Sequence, residues 1–244
     1  MKPSKQKEVR QQKTISPINP DRSKTNIRIL LAILAFVVYA QSINCEFTLD
    51  DDIFYQKHAS VQKGFSGIGE FFTYGSMFKF DGTTGVQPYR PVTLLSFAID
   101  KVLTDNSSAA SHFFNLLYYI LLLQILYSLL LKLFPNIHDA ILGFVVLIYA
   151  AHPIHSEVVS SVKSRDELLA ALFGFLSWRF FVSKNETKNY SKYVLSGFFF
   201  LAAVMSKESA IAFAALIPLS YFMLIDNNMK SLLIKTIPLV LGTL

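Results

Sequence analysis

The sequence predicts an all-α integral membrane protein with about seven transmembrane helices, and three observations predict it. Hydrophobic residues make up 52% of the 244-residue chain and charged ones 16%, a balance that suits lipid better than water. Apolar runs at residues 27–44, 113–134, 137–152, 168–182, 191–206, 209–225 and 232–244 are long enough, or nearly so, for a hydrocarbon core about 30 Å thick. Lys and Arg are distributed unevenly between these runs, which gives each run a direction.

Residues 1–28 hold Lys2, Lys5, Lys7, Arg10, Lys13, Arg22, Lys24 and Arg28 against Glu8 and Asp21, and so carry the whole net charge of +6. Such a segment reads as a disordered basic tail on the cytoplasmic side. It has no aromatic residue for base stacking, so nucleic acid is not expected as a partner. Its length, and the runs that follow, weigh against a cleaved leader ending at "YAQS". The single Cys45 excludes an intrachain disulfide and a cysteine-built zinc site.

With the tail inside, the first run emerges on the outer face, and residues 45–111 form one long outer segment. Loops longer than about 15 residues are usually functional or disordered. The stretch "GFSGIGEFFTYGSMFKF" mixes glycine with phenylalanine and suits short interfacial helices. The second run then returns inward, the third goes out, and the fourth comes back to "SKNETKNYSK", where Lys184, Lys188 and Lys192 outnumber Glu186. That excess lies on the expected inner side. The last run stops at "LVLGTL" without a polar flank, which suggests that residues 29–244 form one transmembrane domain incomplete at its C-terminus.

On this count the polar residues at run ends gather on the outer face. His112 and Asn115 open the second run, and His152, His155 and Glu157 close the third. Arg165 and Asp166 open the fourth, while Lys207 and Glu208 join the fifth and sixth. Charge at membrane depth costs at least about 2.5–3.5 kcal/mol per residue, so its collection on one face calls for a compensating pocket. Asp50, Asp51 and Asp52 share that face. They read either as a solvated acidic turn or as a paired-carboxylate site, since neighbouring acids raise one another's pKa and can act as a general base or hold a cation.

"QPYRPVTLLSF" places Arg90 ahead of an apolar stretch, either snorkelling at the interface or forking onto a phosphate. His152 and His155 are separated by Pro153 and lack a third histidine, which favours hydrogen bonding or phosphate contact over zinc. Ser164 and Glu167 fit a capping box opening the fourth run, and Asp166 complements a helix dipole there. Arg165 has no such reason to sit at a helix start. Lys207 and Glu208 also fit a plain interhelical turn.

Taken in order, "FTLDDD", "PYRPVTLLSF", "SHFFNLL", "HPIHSEVVSSVKSRDELLA" and "MSKES" resemble the membrane half of the transmembrane and tetratricopeptide-repeat O-mannosyltransferase family, within the glycosyltransferase C superfamily. The resemblance runs from about residue 29 to 225. It implies a multi-span helical enzyme whose first outer loop carries an essential acidic pair, here Asp50 and Asp51. It also implies a polyprenyl-phosphate-linked sugar as donor and a protein or glycan hydroxyl as acceptor. The residues by themselves suit an inverting transfer at the extracytoplasmic face of the bilayer. Asp50 or Asp51 would be the base, with Arg90, Arg165, Lys207, His152 and His155 around the leaving phosphate. His112, Asn115, Glu157, Asp166 and Glu208 would orient these groups. No metal ligand set is expected, although the acids leave room for a divalent cation. A transporter and a non-catalytic membrane scaffold are the rival classes.

Overall fold

The computed structural model of the chain describes residues 20–48, 50–73, 88–182 and 190–241. Every regular element among them is helical. Helix α1 (Pro20–Tyr39) tightens into a 3₁₀ turn, Ala40–Asn44. It begins on a proline, whose fixed φ and missing N–H suit a helix start. Residues 20–28, expected in the tail, are therefore already helical, and residues 1–19 lie outside the described residues.

The segment from residue 45 to 111 brings a π turn, Asp52–Gln56, then α2 (Ala59–Gln62), a 3₁₀ turn at Gly64–Gly67 and α3 (Ile68–Phe71). These are short helices of the kind expected, while residues 74–87 of the segment lie outside the described residues. Helix α4 (Pro91–Thr104) follows, with proline again at its start. It stops where Asp105 and Asn106 turn left-handed, at φ 49° and 67°, a conformation that short polar side chains tolerate. Ser107 then accepts a hydrogen bond from the Ala110 N–H (3.3 Å) and caps α5 (Ser108–Leu133) at once. This tight reversal lays α4 back over the bundle.

The bundle continues through α6 (Asp139–Ala151), α7 (His155–Ser160), α8 (Arg165–Phe181) and α9 (Ser191–Ser206). A 3₁₀ turn, Glu208–Ala212, leads into α10 (Phe213–Leu224), and α11 (Met229–Leu241) follows. Hydrogen bonds show which ends lie together. The hydroxyls of Tyr39 and Tyr119 both donate to the Ala150 carbonyl, at 3.3 and 3.1 Å, joining the end of α1, the first half of α5 and the end of α6. At the opposite end the Gln124 amide donates to the Arg28 carbonyl (3.0 Å) and Lys132 to that of Arg179 (3.3 Å). Successive long helices therefore run antiparallel.

One apolar core, with Leu31, Ala35, Leu122 and Val146, fills the space between α1, α5 and α6. A second, with Phe181, Phe200 and Ile217, lies among α8 to α11, and a third, with Tyr55, Val61 and Phe97, lies under α4. Helices α8 and α9 approach on small polar residues. Ser177 and Ser196 are fully buried with their hydroxyls 3.0 Å apart, and Ser196 donates to the Ser177 carbonyl at 2.8 Å, a form of polar glue suited to lipid.

Among the described residues, two helical stretches, Arg22–Asn44 and Ser108–Leu133, are long and apolar enough to cross a bilayer. Asp139–Ala151, Ser191–Ser206 and Glu208–Leu224 are apolar but shorter. The 13 residues of α6 rise only about 20 Å. The seven expected spans are thus met in part, because the polar stretches after Ala151 and Ser206 end the helices early. The outward faces are apolar nonetheless: Ile29, Ile33 and Val37 on α1, and Ile141, Phe144 and Ile148 on α6, are all exposed. A helix apolar all round belongs in a large core or in a membrane.

Candidate active site

The turn between α7 and α8 together with the first residues of α8, residues 161–167, is the strut on which the polar end of the bundle is built. Three carboxylate or guanidinium groups grip it within six residues. Asp51 is buried, and its Oδ1 accepts from the Lys163 N–H (2.7 Å) and the Ser161 hydroxyl (3.4 Å). Its Oδ2 accepts from the Thr48 N–H at 3.2 Å. The carboxylate therefore closes the turn ahead of the π segment and fastens it to the strut. Asp50, one residue earlier, is exposed and makes no ion pair among the described residues.

Arg165, two residues beyond Lys163, is completely buried. Its Nη1 lies 2.6 Å from Asp100 Oδ2, its Nε donates to Asn115 Oδ1 (2.7 Å), and its Nη2 donates to the Ser111 carbonyl (2.9 Å). The Phe97 and Tyr118 rings flank the guanidinium at 4.9 and 5.6 Å. Asn115 also donates to the Ser161 carbonyl at 2.7 Å. Burial pushes the Asp100 carboxyl above its ordinary value, against the pull of Arg165. The arginine expected at a phosphate is therefore spent on locking α4, α5 and α8 together. Asp100 was not singled out in the sequence, although one signal was there: it lies three residues after Phe97, in register with the apolar face of α4.

Asp166 carries the third grip. Arg90 Nη1 lies 2.5 Å from Asp166 Oδ2, while Arg90 Nε and Nη2 donate to the two carboxylate oxygens of Glu208 at 3.1 and 2.7 Å. Such a two-pronged contact is the strong form of a charge-assisted hydrogen bond. Lys207 completes the cluster, 2.6 Å from Glu167 Oε1 and 3.5 Å from Asp166 Oδ1. The capping box expected of Ser164 and Glu167 does not form. Ser164 makes no side-chain cap, Asp166 Oδ1 accepts from the Glu167 N–H at 2.7 Å, and the Glu167 carboxylate goes to Lys207 instead. Thr93 adds a neutral tie, donating to the Ser206 carbonyl at 3.0 Å.

The cluster thus joins Arg90, Asp166, Lys207 and Glu208, which lie 118 positions apart at most. Two cations face three carboxylates, and Glu208, with its side chain 64% exposed, is the one open to exchange. The Arg90 fork holds the Glu208 carboxyl below its ordinary value. Lys163 is a cation that was not singled out in the sequence. Its ammonium lies 5.9 Å from the Phe54 ring centre and it has no ion pair among the described residues.

The histidines divide. His112 is buried beside Phe47, ring centres 6.4 Å apart, close to Asp51. His155 packs on Tyr149 (4.3 Å) and Tyr119 (5.8 Å). Burial, and next the neighbouring His152, push it below the ordinary imidazole value. His152 is exposed and its Nδ1 accepts from the Ile154 N–H at 3.2 Å. Glu157 is exposed. The chain joins these residues to the strut, but no contact ties them to the Arg90 cluster among the described residues. No group of three or more His, Cys, Asp or Glu is placed to hold a metal among those residues either.

Lys163 and Asp166 are three residues apart, so the Cα atoms of the residues that anchor Asp51 and Arg90 lie within about 11 Å of each other. A carboxylate, an ammonium and a guanidinium on an exposed carboxylate partner are groups that a transfer from a phosphate ester can use.

The chain is 28% identical over 126 residues, 50% of its length, to Protein O-mannosyl-transferase TMTC3 of Homo sapiens. It is 26% identical over 205 residues, 75% of its length, to Protein O-mannosyl-transferase TMTC4 of Homo sapiens. It is 24% identical over 200 residues, 77% of its length, to Protein O-mannosyl-transferase tmtc2 of Xenopus laevis. The chain covers 13%, 27% and 23% of these relatives respectively. No family model and no solved structure matches. The chain therefore resembles the transmembrane and tetratricopeptide-repeat O-mannosyltransferase family over half to three-quarters of its length.

Proposed function

We propose that this chain is the membrane portion of a glycosyltransferase that moves a sugar, mannose by analogy with its relatives, from a polyprenyl phosphate to a protein or glycan hydroxyl. Reaction takes place at the extracytoplasmic face, where the polar end of the bundle lies if the basic end is cytoplasmic. The observation that carries this reading is the strut at residues 161–167, which holds Asp51, Lys163 and the Arg90 cluster together at one end of an apolar bundle.

The acceptor oxygen attacks the anomeric carbon from the face opposite the phosphate. The new C–O bond forms as the bond to the phosphate oxygen breaks, so the anomeric configuration inverts. A carboxylate takes the hydroxyl proton, and the polyprenyl phosphate leaves with the electron pair. Asp50 is the accessible carboxylate and serves as base, while Asp51 holds the Thr48 turn on the strut beneath it. Lys163, Arg90 and Lys207 receive the phosphate. For this the exposed Glu208 gives up the Arg90 fork to two phosphate oxygens, which present the same pair of acceptors. Asp166 stays and keeps the guanidinium oriented. Arg165, Asp100 and Asn115 form the buried frame.

The test is transfer of labelled mannose from polyprenyl phosphate by membranes holding the full-length protein. Asp50→Asn is expected to abolish transfer with the protein still inserted. Full activity of Asp50→Asn, together with full activity of Asp51→Asn, would remove the carboxylates from the chemistry and leave the scaffold reading.

A further inference from the structure

The carboxylates around Arg90 differ in their freedom to leave it. Asp166 is buried, and it takes both Arg90 Nη1 at 2.5 Å and Lys207 at 3.5 Å. Glu208 takes the other two guanidinium nitrogens, Nε at 3.1 Å and Nη2 at 2.7 Å, with 64% of its side chain in the open. Rotation of that side chain is enough to clear the fork, while Arg90, only 11% exposed, stays held on Asp166. A second tie keeps the two backbones together without Glu208. The Thr93 hydroxyl, three residues after Arg90, donates at 3.0 Å to the carbonyl of Ser206, two residues before Glu208.

The open side of the Arg90 fork suits two oxygens of one anion, and carboxylate and phosphate present such a pair alike. Charge leads to the same exchange. Arg90 and Lys207 face Asp166, Glu167 and Glu208, so this cluster holds one more anion than it has cations. A phosphodiester, the form of a lipid-linked sugar donor, also carries a single negative charge. Its phosphate in place of Glu208 leaves the total unchanged. Its phosphate beside a seated Glu208 would set four anions against these two cations, which like-charge repulsion opposes.

We propose that Glu208 is a built-in competitor of the donor phosphate. It fills the Arg90 fork when the site is empty, leaves as the lipid phosphate seats, and returns as that phosphate departs. The inference rests on the proposed donor chemistry and adds to it a regulatory role for a side chain that takes no part in the transfer. The sign of its effect sets it apart from a structural ion pair. Removing a structural partner of Arg90 weakens the site, whereas removing a competitor tightens it, because apparent affinity follows the fraction of molecules whose fork is open.

Binding of polyprenyl phosphate, and of uncharged polyprenol of the same length, is measured on the full-length protein in nanodiscs. Glu208→Gln and Glu208→Ala are expected to bind polyprenyl phosphate roughly fivefold more tightly than the unaltered protein, the extent to which a partly exposed ion pair keeps the fork occupied. Polyprenol binding should not change. In transfer assays both variants should show a lower KM for the donor and stronger inhibition by polyprenyl phosphate, a pattern that damage to the fold does not produce. The gain should vanish in an Arg90→Lys background, where no fork remains to be contested. Glu208→Ala decides the matter if the amide of Glu208→Gln keeps one prong. Equal or weaker binding by Glu208→Ala, an equal gain for polyprenol, or a gain that persists with Arg90→Lys would overturn the competitor and leave the donor reading standing. An unaltered protein that binds polyprenyl phosphate no better than polyprenol would overturn the donor reading, and the competitor with it.

Discussion

Arg90 and Arg165 carry the same guanidinium, but their surroundings give them different work. Arg165 has no exposed atom and meets Asp100, Asn115 and a backbone carbonyl, so its loss leaves a carboxylate buried and unpaired. Arg165→Met is expected to cost about 3–5 kcal/mol and to lower the unfolding temperature in detergent, with much of the loss recovered by adding Asp100→Leu. Arg90 is anchored to Asp166 but also grips the exposed Glu208. Arg90→Lys keeps the charge and loses the fork, and should reduce kcat/KM for the lipid-linked donor by roughly tenfold. The Glu208 carboxyl is held below its ordinary value by that fork. Its contribution is therefore present above the unfolded value and is lost as pH falls through the lower, folded one. Amide exchange in α4 should accelerate on acidification through that range, and Glu208→Gln should flatten this dependence.

Among elements, α9 is the helix on which the second half of the bundle depends, and glycine decides how closely it is approached. A Cβ built on Gly197 would lie 2.5 Å from the carbonyl oxygen of Pro238 in α11. Backbone cannot swing aside as a side-chain tip can, so α9 and α11 touch only because position 197 lacks a side chain. Gly197→Val is expected to loosen α11 and expose it to limited proteolysis, while α1, α5 and α6, which pack in a separate core, keep their protection. Helix α4 has the opposite character. Thr93, Asp100 and Arg90 tie it to α9, α8 and the turn before α10 through polar contacts, which makes it the element best placed to move when a phosphate takes the Arg90 fork.

At the scale of the whole molecule, polarity separates the two ends, one holding carboxylates and cations that pair with one another and the other holding, among the described residues, more cations than carboxylates. If the basic end is cytoplasmic, exposed Cys45 faces outward. A membrane-impermeant thiol reagent should then label it in intact cells. Labelling only after permeabilisation would reverse the orientation. Much of this arrangement was legible in the sequence. Apolar runs separated by polar turns specify helices, their order and their alternation, because a backbone in lipid must satisfy its hydrogen bonds within each segment. The collection of Arg90, Asp166, Lys207 and Glu208 at one end of the bundle followed from the same alternation. Where the helices end did not follow, since α1 takes in residues 20–28 and α6 stops short of a full span. The roles of the two arginines were equally hidden. Asp100 claims Arg165 and Glu167 leaves its cap for Lys207 only because α4 folds back over α8 and α9. Local sequence determines which residues are charged and near which end, whereas the neighbour that neutralises each charge is chosen by contacts between segments up to 118 positions apart, and only the tertiary structure brings those together.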